Sequence, residues 1–202
     1  MLTKRANRTI GTALFGLATM AMPIVTAGAA QAHGFTQDPP SRQALCADGT
    51  VTGCGAIRWE PQSVEGPGDF PRGGPADGHL CSGGNDRFAA LDDQRGGKWP
   101  ATRVQAGQQV SFRWKITAAH STESFRYFVT KNGWDPSKPL TRDQLEPAPF
   151  HQVGLGGKKP AATVTHEITL PADKKGRHMI FAAWEIANTG NAFYSCSDVD
   201  FG

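Results

Sequence analysis

Four consecutive residues, Ala30-Gln31-Ala32-His33, carry the first sign of chemistry in this 202-residue chain. Small residues at A-x-A spacing end an apolar stretch, and cleavage after Ala32 would leave a histidine at the new N-terminus. A terminal histidine offers its α-amine and two ring nitrogens, and the amine and Nδ1 can close a chelate ring on one metal ion. The amine, with a reference pKa of about 7.7–8.0, must lose its proton to bind, and Cu(II), near the top of the divalent affinity order, drives that loss most readily. Copper is therefore the expected metal, and such a site needs a further ligand. His120 is the candidate. It lies in Ile116-Thr117-Ala118-Ala119-His120-Ser121-Thr122, where an alternating stretch runs out into a loop at the end of a sheet. Spacing alone leaves an ordinary solvated histidine open. His166 and His178 read as strand residues and His79 and His151 as loop residues, none with comparable context.

The elements that must present these groups begin with the leader. Lys4, Arg5 and Arg8 precede an apolar stretch from about Ile10 to Ala30, broken by Gly11, Gly16, Thr19, Pro23, Thr26 and Gly28 and lacking a cationic stop-transfer flank. Residues 1–32 read as a cleaved signal peptide and not as a membrane anchor, so the protein is expected to be secreted. Residues 33–202 remain, 170 residues and enough for one domain with its own core. The net charge of +3 equals the three leader cations, so the mature protein is formally neutral and its charge does not point to nucleic acid or an anionic membrane. In an oxidising compartment the four cysteines imply two disulfides out of three pairings, with Cys46–Cys54 as a local clasp leaving Cys81–Cys196. A zinc site lacks its C-x-x-C and a histidine at finger spacing.

Two regions differ in texture. From about residue 34 to 100 the chain is crowded with Gly, Pro, Asp and Ser and has no sustained period, apart from a helical turn or two near Asn85–Asp93. It reads as a long, disulfide-pinned loop region, and that length marks it as functional. From Thr102 onward strand signals recur: Val110, Phe112, Trp114 and Ile116 alternate with polar residues, Ser124–Lys131 is aromatic and β-branched, and Val164, His166, Ile168 and Leu170 alternate. His178–Ile186 is nearly continuous apolar, and Phe193–Phe201 ends the chain. Short strands without βαβ alternation predict an all-β fold, a β-sandwich. No G-x-S-x-G and no pair of carboxylates in a selecting context are present, which argues against hydrolytic chemistry.

Several strings resemble one family. His33-Gly34, Trp59-Glu60-Pro61-Gln62-Ser63-Val64-Glu65-Gly66, Gly74-Pro75-Ala76-Asp77-Gly78-His79, His120-Ser121-Thr122 with Phe125-Arg126-Tyr127-Phe128, and Asn191-Ala192-Phe193-Tyr194 are similar to the bacterial lytic polysaccharide monooxygenases of auxiliary activity family 10, once called chitin-binding proteins. The resemblance spans residues 33–202 and implies an immunoglobulin or fibronectin III-like sandwich. It also implies one copper ion in a histidine brace of His33, through its amine and Nδ1, and His120, through Nε2. Phe193 resembles the axial aromatic, Ala118 the small residue at the other axial face, Glu65 the carboxylate near the open coordination position, and Trp184 the buried tryptophan near the metal. Trp59 stands where the family shows an exposed aromatic able to lie on a pyranose ring. Glu60, Thr117, Asn188 and Asn191 match positions that hydrogen-bond substrate on a flat face, with Asn188 departing from the aspartate of related members.

What the resemblance implies is C1-oxidising cleavage of crystalline chitin by a secreted, monomeric enzyme that uses an external electron donor and hydrogen peroxide or dioxygen as co-substrate. The alternatives are a cellulose-active enzyme of the same family, or a non-catalytic chitin-binding or copper-carrier protein. A carrier has no need of Trp59, Glu60 and Asn191 around the metal, and an adhesin has no need of an unblocked His33.

Overall fold

The computed structural model describes residues 1–2 and 32–202; the expected signal peptide, residues 1–32, otherwise lies outside the described residues. No helix among the described residues is long and apolar enough to cross a membrane. Among the described residues, nine strands form two sheets. β1 (His33–Asp38), β4 (Gln109–Ala118) and β7 (Thr163–Thr169) make a three-stranded antiparallel sheet in the order β1-β4-β7. The larger sheet runs β2 (Glu65–Pro67), β9 (Asn191–Asp200), β8 (Arg177–Ile186), β5 (Thr122–Val129) and β6 (His151–Gly154), with β3 (Thr102–Arg103) parallel to the far end of β9. The two sheets pack face to face as an immunoglobulin-like β-sandwich.

Burial periodicity explains each layer. In β4, Phe112, Trp114 and Ile116 are buried while Ser111, Arg113 and Lys115 are exposed, so the small sheet has one wet face. β8 and β9 are buried on both faces. One face meets the small sheet through Phe112, Trp114, Phe125, Tyr127, Trp184 and Phe193. The other carries a second core, where Phe128, Phe181 and Tyr194 pack against Phe70, Phe88 and Leu91 of the Gly- and Pro-rich region. That region is thus a third layer over the sheet.

It is less irregular than its composition suggests. β1 and β2 are strands and α1 (Arg42–Ala47) is a helix, all within a segment expected to be loop, and His151 opens β6 instead of lying in a loop. Each is too short, or too interrupted by Gly34, Pro39 or Gly66, to show a period in sequence; pairing with β4, β9 and β5 forms them. α1 begins at Ser41, whose hydroxyl donates to Thr36 O and accepts from Ala44 N. The helix places the fully buried Arg42, whose guanidinium donates to Asp198 Oδ2 at 2.8 Å, Leu91 O at 2.8 Å and Gln94 Oε1 at 2.9 Å and lies over Trp99. Cys46–Cys54 closes locally, and Cys81–Cys196 pins the covering layer to the middle of β9.

Between the sheets Trp114 Nε1 donates to Tyr127 Oη at 2.9 Å, and that hydroxyl donates to His166 Nδ1 at 2.6 Å. Burial pushes the Tyr127 phenol up, so it stays a donor, while burial and then His151 hold the His166 imidazole down to about 4. An unfolded imidazole takes its proton near 6.5, so between these values the unfolded state binds protons that the folded state refuses. The neutral imidazole's contribution is complete above pH 6.5 and drains as pH falls toward 4, by at most about 3 kcal/mol. Burial and Lys174 lower His178 in the same sense. The thermal midpoint is therefore expected to fall on acidification from pH 6.5 to 4 and to fall less in His166→Gln; equal slopes in calorimetry would show that His166 is not the responsible group.

Candidate functional site

At one end of the sandwich, the starts of β1, β2 and β9 meet the ends of β4 and β8. His33 lies opposite Ala118 in the β1–β4 register, next to an irregularity between His33 and Gly34. His120 follows Ala118 by two residues, a step of about 7 Å along an extended chain, which brings both imidazoles to the same edge. Thr117 is exposed and its hydroxyl donates to His33 O at 3.4 Å. Gly34 makes the approach possible: a Cβ there would meet Ile116 Cδ1 at 2.9 Å, Trp184 Cζ3 at 3.0 Å and Lys115 O at 3.1 Å. Its N–H donates to Gln62 O at 3.0 Å, which docks the Trp59–Gln62 segment onto β1.

The ring of His33 lies 6.1 Å from that of Phe193, and Phe193 lies 5.2 Å from Trp184. Trp184 is fully buried and its indole N–H donates to Thr122 Oγ1 at 2.7 Å, while that hydroxyl donates to His120 O at 3.0 Å. The turn carrying His120 is thus tied to the core. His120 itself is 7 % exposed, and its Nε2 is 2.8 Å from Asn188 Oδ1; the amide oxygen only accepts, so Nε2 carries the proton of this bond. Asn188 sits in the exposed turn between β8 and β9, so a metal taking Nε2 would have a single exposed side-chain amide to displace. Glu65 pairs with Phe193 across β2–β9 and its Oε1 accepts from Asn191 Nδ2 at 2.8 Å.

The structure therefore brings His33, Ala118, His120, Phe193, Trp184, Glu65, Asn188, Asn191 and Thr117 together. Trp59 is 78 % exposed, with the Arg58 guanidinium 4.9 Å from its ring centroid. Glu60, expected to offer hydrogen bonds to substrate, forms an ion pair with Arg87. Arg87, Arg58 and Gln62 escaped the sequence reading because their partnerships arise from folding or from the backbone, not from a motif. Asn188 is closer to the chemistry than its departure from the family pattern implied. His79 lies in a loop, 3.9 Å from Asp92, and His166 and His178 are buried strand residues. Among the described residues, no three or more His, Cys, Asp or Glu side chains gather as a metal site. Two imidazoles alone need a donor that is not such a side chain. In the full chain the His33 nitrogen is an amide to buried Ala32; cleavage after Ala32 would turn it into an amine, and with that donor the set would fit a copper ion.

Comparison with known proteins follows from this geometry. Residues 33–199 match the family model described as lytic polysaccharide mono-oxygenase, cellulose-degrading. GlcNAc-binding protein A of Shewanella oneidensis is 40 % identical over 188 residues, covering 93 % of this chain and 39 % of that protein, so the chain spans about two fifths of that relative's length. An AA10 lytic polysaccharide monooxygenase from Streptomyces lividans superposes with a TM-score of 0.82 at 55 % identity, covering 84 % of this chain and all of that one. A Bacillus amyloliquefaciens CBM33 in complex with Cu(I) superposes with a TM-score of 0.76 at 36 % identity, covering 83 % of this chain and 99 % of that one.

If Gly34 sets the approach of β1, Gly34→Ala should cost about 1–3 kcal/mol by overpacking against Ile116 and Trp184. Denaturant unfolding that shows unchanged stability would refute this placement of β1.

Proposed function

From the premise that the chain belongs to the lytic polysaccharide monooxygenase family, we propose that it is exported, cleaved after Ala32, and acts as a monomeric copper enzyme that oxidises crystalline chitin at C1. The observation that carries the reading is the convergence of His33 and His120 on the β1–β4 edge, beside a face bearing an exposed indole. The His33 amine and Nδ1 and the His120 Nε2 would hold the metal, and Nε2 would exchange its bond with Asn188 for that role. Bound there, copper supplies the one-electron chemistry by which an external reductant and peroxide or dioxygen are turned to abstraction of hydrogen from a glycosidic carbon.

The other residues prepare that end of the molecule. Phe193, its ring 6.1 Å from that of His33, would offer the site a phenyl that cannot ligate, and Ala118, opposite His33, would offer only a methyl. Glu65, held at Oε1 by Asn191, keeps Oε2 to hold or pass a proton. Trp184, bonded through Thr122 to the His120 carbonyl, fixes the second imidazole. Trp59 stacks on a pyranose ring, and Thr117, Asn191 and the Glu60–Arg87 pair present polar groups to hydroxyls and acetamides. GlcNAc-binding relatives favour chitin. The word cellulose in the matched family description makes a cellulose-active enzyme the second reading.

Protein beginning at His33, loaded with copper and given ascorbate and peroxide, is expected to release aldonic-acid oligosaccharides from chitin and not from cellulose, read by mass spectrometry. Extending it by one residue before His33, or His120→Ala, should weaken Cu(II) binding by at least about 100-fold and abolish oxidised products, whereas Trp59→Ala should lower chitin retention and leave copper affinity unchanged. Release of native, hydrolytic products alone would overturn the assignment, and oxidised products from cellulose alone would select the second reading.

A further inference from the structure

Beyond Phe128, Phe181 and Ala183 the second core ends, and the same face of the large sheet turns polar. It opens into a cleft of about 330 Å3 walled by Ser124, Arg126, Gln152, Glu185, Asp69 and Gly190. The β8–β9 turn borders this cleft, so the segment carrying Asn188 overhangs space instead of packed side chains.

A polar tie spans that space. Arg126 on β5 and Glu185 on β8 are diagonal neighbours, since Ser124 faces Glu185 and Arg126 faces Ala183. They form an ion pair through Glu185 Oε1, with side chains 16 % and 12 % exposed. The second oxygen, Oε2, accepts the Asp69 N–H at 3.1 Å. Asp69 has φ 67°, a left-handed conformation uncommon for a non-glycine residue although aspartate tolerates it better than most, and its N–H is the group that Glu185 holds there. The preceding Gly68 donates its N–H to Gly190 O at 2.8 Å, and a Cβ on it would lie 2.7 Å from Glu185 Oε2 and 3.0 Å from Gly190 O. This turn directly follows β2, which carries Glu65. Gly190 lies between Asn188, bonded to His120, and Asn191, bonded to Glu65.

We propose that Glu185 is a positioning residue for the metal end: anchored by Arg126, its carboxylate holds the Gly68–Asp69 turn against Gly190 and so fixes Asn188, Asn191 and Glu65 around His120. The proposal rests on the reading of His33 and His120 as the copper site. A carboxylate suits the role because one oxygen takes a guanidinium and the other a backbone N–H, both charge-assisted. Its loss would leave Arg126 a largely buried, unpaired charge and strip the Asp69 N–H of its acceptor, while the Asp69 carbonyl and carboxylate keep Gly73 and Arg72.

The test compares Glu185→Ala, Glu185→Gln and, as a control on the same cleft wall, Glu123→Gln. In metal-free protein, amide exchange at Gly68 and Asp69 is expected to quicken about tenfold or more in Glu185→Ala, less in Glu185→Gln, which keeps an acceptor for Asp69, and not at all in Glu123→Gln. With copper bound, the Cu(II) electron paramagnetic resonance spectrum should change in Glu185→Ala and return toward wild type in Glu185→Gln. Unchanged exchange would overturn the proposal. So would faster exchange with a wild-type Cu(II) spectrum, since the turn would then not position the metal end. If Glu185→Ala does not fold, Glu185→Asp decides, since its carboxylate keeps the charge beside Arg126 but is too short to reach the Asp69 N–H: faster exchange with a changed Cu(II) spectrum supports the proposal, and unchanged exchange or a wild-type spectrum overturns it. A wild-type protein with no nitrogen-ligated copper spectrum would instead defeat the copper reading, while the exchange data still judge the tie.

Discussion

β9 is buried on both faces, and the rest of the molecule answers that constraint. A strand with two apolar faces needs two covers. One is the small sheet; the other is the 39–100 segment, which lacks the regular structure to cover a sheet by itself and is fastened instead. Arg42 grips Asp198, Cys81 is bonded to Cys196, and Gln43 Nε2 reaches Tyr194 O at 2.8 Å, all on β9. Burying a guanidinium is costly unless every direction is answered, and Arg42 has a carboxylate, a carbonyl, an amide oxygen and an indole face. The same covering layer delivers Trp59, Glu60 and Glu65 to the working end.

The other clasp of that layer is Arg142. Its guanidinium bonds Asp77 and the carbonyls of Pro71, Gly73 and Pro75, fixing a loop that apolar packing alone would leave loose. Backbone carbonyls of irregular segments need donors, and a five-donor fork serves several at once.

The functional end contrasts with this interior. Phe193 and Trp184 are buried without exposed surface, while Asn188, Thr117 and Trp59 are exposed to solvent. Rigid aromatic packing behind and polar, displaceable groups in front suit a site that must hold an ion firmly and also meet a solid surface. The proposed completion of that site by proteolysis adds timing: the third nitrogen exists only after the leader has gone, so a brace cannot form before cleavage.

The long strands were legible from residue order, because β4, β5, β7, β8 and β9 each carry enough residues for alternation or continuous burial to register. The places of His33 and His120 were legible as well, His33 behind an A-x-A string and His120 at the close of an alternating stretch, while a terminal His33 belongs to the proposed cleavage. The roles of Glu65, Phe193 and Trp184 came from resemblance, as nothing in their spacing marks them. β1, β2 and β6 were not legible: three to six residues give no period, and their form is imposed by the strands they pair with. Nor were the contacts of Glu60 with Arg87, 27 residues on, or of His120 with Asn188, 68 residues on. Residue order determines which groups are available and how each strand alternates. Which of those groups touch is decided by closing loops over such separations, and that is a property of the packed sheets and not of any local stretch.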